Sequence, residues 1–279
     1  MGKKEDRETQ MTQYLQELLQ EEKSPVTIGK YKRDILRFLG FAGEAELSKE
    51  LCLKYKESLH EEKLQVSSIN SMLAALNGYL RYIGASDCVI RQFRTQKRAY
   101  SSAEKELTWK DYEKLVKAAD SDERMQLILQ TMGGTGIRVS ELTYFTVEMV
   151  ESGEIEVKCK NKIRTILIPD RLQEKLLNYT RKRNILEGQI FQTEKGTSIN
   201  RVNIWRQMKR LCRKAGIPES KAFPHNLRKL FARTFYKKEH DLAMLADLLG
   251  HSSLNTTRIY IKSTGQEHRK KMNNLNLIL

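Results

Sequence analysis

Four stretches of this sequence carry side chains whose types and spacing bear on phosphate chemistry: that of Arg138, that of Lys160 and Lys162, that of His225 with Arg228, and that of His251 and Tyr260. Arg138 follows the glycine-broken turn Gly134-Thr135-Gly136 and is expected in the first turn of a helix, where the backbone already favours anions and a guanidinium adds a two-pronged donor for phosphate oxygens. Lys160 and Lys162 flank Asn161, with Arg164 close behind; a lysine at such a tip can protonate a leaving oxygen if nearby positive charge lowers its pKa from about 10.4. His225 and Arg228 stand three apart after Pro224 and so share a helix face, one suited to managing protons and the other to neutralising charge. His251 sits at the junction Leu248-Leu249-Gly250-His251-Ser252-Ser253, and Tyr260 comes about two helical turns beyond the serines. Each stretch also has a plain structural reading: Arg138 as a surface arginine paired with Glu141, the lysines as solvated turn residues, His225 as a helix cap with Arg228 on the surface, Tyr260 as a packed tyrosine.

The elements that must position these groups are legible from apolar spacing. Met11, Tyr14, Leu15, Leu18 and Leu19 form the stripe of a helix over 9–22. Ser24-Pro25 opens a second, striped by Ile28, Tyr31, Ile35, Phe38 and Leu39 and broken by Gly40 to Gly43. Two more are expected over 48–60 and 67–83, with a short one near Asp87. The polar stretch 96–107 lacks a stripe and reads as a linker, with Arg91, Arg94, Lys97 and Arg98 clustered at its start, either solvated or set against phosphates. Thr108 with Asp111 is a variant of the capping box for the next helix, and 121–134 forms another, broken by Gly133, Gly134 and Gly136. Ile155, Val157 and Cys159 alternate, Lys160-Asn161-Lys162 turns, and Ile166 and Ile168 alternate on the return, which predicts a β-hairpin in a small antiparallel sheet. Helices resume at about 170–187, 200–215, 225–237, 240–249 and 254–260. The fold class is therefore mainly α with a small antiparallel sheet: a helical N-terminal domain followed by a mixed α+β domain.

Composition narrows the partner. The 279 residues are 39% hydrophobic and 30% charged, enough apolar material for a core in each of two domains. The net charge of +15 favours a polyanion. It is unevenly spread: residues 1–104 hold 17 basic against 15 acidic, and residues 105–279 hold 33 against 20, so the second part is expected to carry more of any phosphate contact. No run of 18 apolar residues exists and the start, MGKKEDRETQ, is no secretory signal, so a cytoplasmic protein without membrane attachment is expected. Cys52, Cys88, Cys159 and Cys212 form no CxxC pair, which fits reduced thiols and argues against structural zinc. Neither an HxH or HExxH pair nor a GxxxxGK[ST] sequence is present, and no metal or cofactor is expected.

Taken together and in order, TGIRVSEL, PHNLRKLFA and LLGHSSLNTTRIY closely resemble the motifs of the tyrosine recombinases, also called phage integrases. The resemblance covers most of residues 105–265. It implies a helical, SAM-like core-binding domain that binds DNA over residues 1–98, a linker at 99–106, and a catalytic domain with a C-terminal tail over 107–279. Residue by residue, it implies that Arg138 is the first catalytic arginine and Lys160 the hairpin lysine, with Lys162 a second candidate because the turn is compact. His225 and Arg228 match the second motif, His251 the next position, and Tyr260, nine residues later, the nucleophile. Lys229 stands where the family often has histidine.

The chemistry implied is attack by the Tyr260 oxygen on a backbone phosphate, giving a 3′-phosphotyrosyl link and a free 5′ hydroxyl. Arg138 and Arg228 clamp the non-bridging oxygens and favour the phenolate, His225 accepts the tyrosine proton or holds the phosphate, His251 bonds the phosphate from the other side, and Lys160 protonates the departing oxygen. The covalent link conserves the phosphodiester energy, so rejoining needs no ATP. The resemblance further implies double-stranded DNA as partner, a homo-oligomer that forms a tetrameric synapse, and integration, excision or resolution of DNA elements. The helical stretch begins near the first residue, from which a simple recombinase without an arm-binding domain is expected. The apolar tail residues Met272, Leu275, Leu277, Ile278 and Leu279 are expected to dock on a neighbouring protomer or on their own domain. Three other readings remain: a topoisomerase-like swivelase, a metal-dependent tyrosine nickase, and a catalytically inactive, sequence-specific DNA-binding accessory protein.

Overall fold

The structure is a computed structural model, and it describes residues 3–94, 104, 106–159, 162–193, 196–261, 269–270 and 272–275. The chain forms two compact units, Met1–Lys97 and Arg98–Leu279.

Four helices build the first unit: α1 (Lys3–Gln20), α2 (Pro25–Ala42), α3 (Lys49–Glu61) and α4 (Val66–Tyr82), followed by a 3-10 turn at Ser86–Cys88. Ser24 caps α2 by accepting from the Thr27 amide, with Pro25 in the first turn as its sequence predicts. The stripes of these helices meet in one core, where Ile35, Phe38, Leu59, Leu73, Leu76 and Tyr79 are fully buried. Two helix limits differ from the periodicity. Helix α1 starts at Lys3, before its stripe begins, because Arg7 turns inward and donates to the carbonyls of Gly43 (3.2 Å) and Ala45 (2.8 Å), while Tyr79 donates to the Arg7 carbonyl (3.0 Å). Helix α2 passes through Gly40 and stops only at Gly43.

In the second unit, α5 (Trp109–Ala118) carries the complete capping box: Asp111 N–H donates to Thr108 Oγ1 and Thr108 N–H to Asp111 Oδ2. Helix α6 (Glu123–Thr135) continues through Gly133 and Gly134, which the sequence marks as breakers, because it packs there against Tyr112 and Leu172. It ends at Gly136, whose φ of +65° is left-handed. A 3-10 turn (Val139–Tyr144) and α7 (Val147–Ser152) lead to the hairpin β1 (Glu154–Cys159) and β2 (Lys162–Leu167). The strands pair antiparallel with Val157 opposite Arg164 and Cys159 opposite Lys162. Ile155, Val157, Ile166 and Ile168 face the core as their alternation requires. Then come α8 (Asp170–Arg183), α9 (Arg201–Lys214), α10 (Pro224–Glu239), α11 (Leu242–Leu249) and α12 (Leu254–Arg258). The core of this unit runs from Leu107 to Leu230, and a smaller cluster under α10 and α11 gathers Ala232, Leu245 and Leu249 with Tyr260 packed on it. No helix among the described residues is long and apolar enough to cross a membrane. In the tail, Met272 and Leu275 are exposed; Leu277, Ile278 and Leu279 lie outside the described residues.

Gly136 is the joint on which the first site arginine turns. A Cβ there would collide with the Phe231 ring, and an L-residue at this φ adds about 1–2 kcal/mol of strain. Gly136→Ala is therefore expected to lower the urea midpoint, by roughly that strain or more, without changing the slope of the transition.

Candidate active site

Arg138 leaves the core just after the left-handed Gly136 and the buried Ile137. The sequence places it in the first turn of a helix; instead it is the residue before a 3-10 turn, in extended conformation (φ −77°, ψ 149°). Its amide donates to Glu141 Oε2 (2.7 Å) and its Nη1 to Glu141 Oε1 (3.0 Å). The pairing with Glu141 is thus real, but it does not leave Arg138 on a bland surface. The side chain, 41% exposed, borders a cavity of about 540 Å³ that His225 and Arg228 also line.

Pro224 starts α10, and the i, i+3 spacing puts His225 and Arg228 on the same wall of that cavity. Neither fits its plain reading. No side chain caps α10, and Arg228 is 1% exposed, the largest fully buried side chain among the described residues. Arg228 Nη1 donates to the Gly136 carbonyl (2.6 Å) and Nη2 to the Leu249 carbonyl (2.6 Å) and to His251 Nε2 (3.0 Å). Its buried Nε has no partner in the protein.

Because a guanidinium only donates, His251 Nε2 must be the acceptor, so the proton sits on Nδ1 and is given to Thr257 Oγ1 at 2.9 Å. His251 is neutral in this arrangement. Gly250, with φ +64°, ends α11 and lets the chain turn so that the imidazole reaches Arg228. Tyr260 lies beyond α12, its amide donating to the Thr257 carbonyl (2.9 Å). Its ring is stacked on His251 at 5.2 Å between centroids, lies 5.1 Å from the His225 ring, and has the Arg228 guanidinium carbon 5.8 Å from its centre.

The electrostatics have one sign. Burial, and then the charge of Arg138, pull Arg228 down to about 10. Burial, followed by Arg228, Arg138 and Arg164, lowers His251 to about 4, and burial with Lys229, Arg228 and Arg138 lowers His225. Glu141 answers this charge; although burial opposes its ionisation, the Arg138 amide and the Arg164 and Arg138 guanidinia hold its carboxyl below the ordinary range. The cavity is an excess of fixed, preorganised positive charge, which is what a singly charged phosphodiester requires.

Titration of His251 has a consequence for stability. The unfolded imidazole titrates near 6.5, the folded one near 4. Between those values only the unfolded chain takes the proton, so the contribution is whole above pH 6.5 and is lost as pH falls toward 4. The thermal midpoint is expected to drop as pH falls from 7 to 4.5, and to drop less in His251→Gln, followed by differential scanning fluorimetry.

Of the six sequence candidates, Arg138, His225, Arg228, His251 and Tyr260 thus converge, from stretches up to 122 residues apart along the chain. Lys160 lies outside the described residues, and so does the question of its rank against Lys162. Sequence reasoning underrated Glu141 and Arg164. Arg164 sits on β2, donates to Glu141 Oε2 (2.5 Å) and to the Leu248 carbonyl (2.6 Å), and joins two of the motif stretches. Its signal was there: an arginine four residues from the buried Ile168, and facing the buried Val157, is not placed for solvent alone.

The model of the phage integrase family matches residues 105–267, and that of the phage integrase N-terminal SAM-like domain matches 11–85. The chain belongs to the phage integrase family. Among its relatives, the tyrosine recombinase XerA of Pyrococcus furiosus is 30% identical over 285 residues, covering 99% of this chain and 90% of that protein. The tyrosine recombinase XerH of Campylobacter jejuni is 36% identical over 149 residues, 49% of this chain and 40% of its own. Among solved structures, a lambda integrase (75–356) dimer bound to a COC′ core site superposes with a TM-score of 0.75 at 18% identity, covering 93% of this chain and 96% of that one. At these identities the family's fold is what the superposition carries.

Proposed function

We propose that this member of the phage integrase family is a site-specific DNA recombinase that cleaves and rejoins double-stranded DNA through a covalent 3′-phosphotyrosyl intermediate. One observation carries the reading: the Tyr260 ring lies against both His225 and His251 beside the buried Arg228, and His225 and Arg228 line one cavity with Arg138. A tyrosine becomes a nucleophile where cations favour its phenolate and stabilise the charge on the attacked centre.

In this reading Arg138 and Arg228 hold the non-bridging oxygens. The Tyr260 oxygen forms the new bond to phosphorus as the bond to the 5′ oxygen breaks. His225, whose pKa burial and the surrounding cations lower, takes the phenol proton. His251 bonds the phosphate in its other tautomer, with Nε2 released by Arg228 and donating to an oxygen while Nδ1 accepts from the Thr257 hydroxyl, and Lys160 gives its proton to the leaving 5′ oxygen. Every charge in this scheme is met by a side chain, so activity is expected without ATP or a metal ion. Residues 1–98 serve as the core-binding domain, 99–106 as the linker and 107–279 as the catalytic domain. Several protomers on two DNA partners, in a tetrameric synapse within the cytoplasm, complete the reaction. Relatives captured on their own DNA support the partner.

The test is covalent trapping. The full chain is incubated, in EDTA, with nicked suicide duplexes drawn from the repeats flanking its gene, and the products are run on a denaturing gel. A protein–DNA adduct whose peptide maps to Tyr260 is the expected result. Tight gel-shift binding to the same DNA with no adduct would overturn the reading in favour of the DNA-binding accessory protein.

A further inference from the structure

Arg164 is not among the residues that line the cavity, yet the groups it holds adjoin the partners of two that do, Arg138 and Arg228. Its side chain is 12% exposed and is held at both ends of the guanidinium. Nη2 donates to Glu141 Oε2, and Glu141 receives Arg138 twice, through its amide and its Nη1. Nη1 donates to the Leu248 carbonyl, next to Leu249, whose own carbonyl takes a hydrogen bond from Arg228. The turn that follows is closed down onto the same side chain: a Cβ at Gly250 would collide with Arg164 Cδ and lie 3.0 Å from Nε. His251 is the next residue.

A third arginine beside Arg138 and Arg228 works against the charge balance of the site, since it helps to push His251 down and adds to the load on Arg228. Its place is explained by its planar fork, which reaches a carboxylate and a carbonyl at once; an ammonium has no such geometry. We infer that Arg164 is a positioning residue, a strut from the hairpin that sets Arg138, through Glu141, and His251, through the Leu248–Gly250 turn, at the distance that one phosphate requires. This rests on the recombinase reading. It goes beyond it in assigning the alignment of the two phosphate-binding groups to a residue outside the cavity lining.

The experiment uses the full chain and single-turnover cleavage of the nicked suicide duplex. Wild type, Arg164→Ala and Arg164→Lys are compared, with Tyr260→Phe as the blank. Misplacement of binding groups by about 1 Å costs on the order of 10²-fold in rate, which is the loss expected for Arg164→Ala at unchanged gel-shift affinity. Arg164→Lys, able to keep Glu141 but not the Leu248 carbonyl, should fall between, and it carries the comparison if the alanine variant loses DNA binding through misfolding. The deciding readout is a duplex with a neutral methylphosphonate at the scissile position. A neutral centre asks less of Arg138, so the gap between wild type and the Arg164 variants should shrink on it. An equal gap on both duplexes, or cleavage by Arg164→Ala at the wild-type rate, would overturn the assignment. So would recovery on a 5′-phosphorothiolate duplex, whose leaving group needs no proton, because that would tie Arg164 to the hairpin lysine instead. Should wild type itself form no adduct, the recombinase reading falls and takes this one with it; an adduct with wild type and an undiminished Arg164→Ala sinks only the strut.

Discussion

Tyr260→Phe is expected to abolish the covalent adduct, with any residual cleavage at least about 10³-fold below wild type, while DNA binding and thermal stability stay as they were. The asymmetry follows from what the substitution removes. The aromatic ring packs on the small cluster of Ala232, Leu245 and Leu249 and against two imidazoles, and all of those contacts are made by ring carbons that phenylalanine keeps. Only the oxygen goes, and in the reading proposed here the oxygen is the atom that attacks phosphorus. His251 offers no substitute, because it is already engaged by Arg228 and Thr257. An adduct from the phenylalanine variant, detected on the same denaturing gel, would move the nucleophile elsewhere in the chain.

Arg228→Lys is the second large effect, and it differs in kind, because here structure and chemistry share one side chain. The guanidinium spans two carbonyls, of Gly136 and Leu249, and an imidazole, all in a setting that is 1% exposed. A lysine ammonium is a point donor on a thinner stem and cannot meet all three. One buried carbonyl left unpaired costs roughly 1–3 kcal/mol, so urea unfolding should show a loss of that order. The cleavage rate is expected to fall by about 10²–10³-fold, the usual cost of removing one preorganised donor from a developing oxyanion, with a much smaller change in gel-shift affinity because Arg138 and the general basic surface remain. A variant that lost stability but cleaved at the wild-type rate would remove Arg228 from the chemistry and leave it as a structural bolt. The partnerless buried Nε is consistent with a group that completes its hydrogen bonding only when an anion arrives.

These two residues also mark how far sequence alone could go. Local chemistry was legible wherever neighbours in the chain decide the outcome: Ser24 with Pro25 at the start of α2, the Thr108–Asp111 capping box, the alternation of Ile155, Val157, Ile166 and Ile168, and the shared face of His225 and Arg228. Each depends on contacts within a few residues, or on a period of 3.6 or 2, and both are printed in the order of the amino acids. The tertiary structure alone decided the rest. It put the Arg228 fork on a carbonyl 92 residues upstream, joined Arg164 to a carbonyl 84 residues downstream, carried α6 through two glycines by packing, and turned Arg138 out of a helix into an extended joint. Burial and backbone hydrogen bonding between distant segments fix those outcomes, and no spacing along the chain encodes them. The sequence determined which groups this protein can bring to a phosphate; the folded packing determined that they arrive together, and with the tyrosine ring lying against two imidazoles.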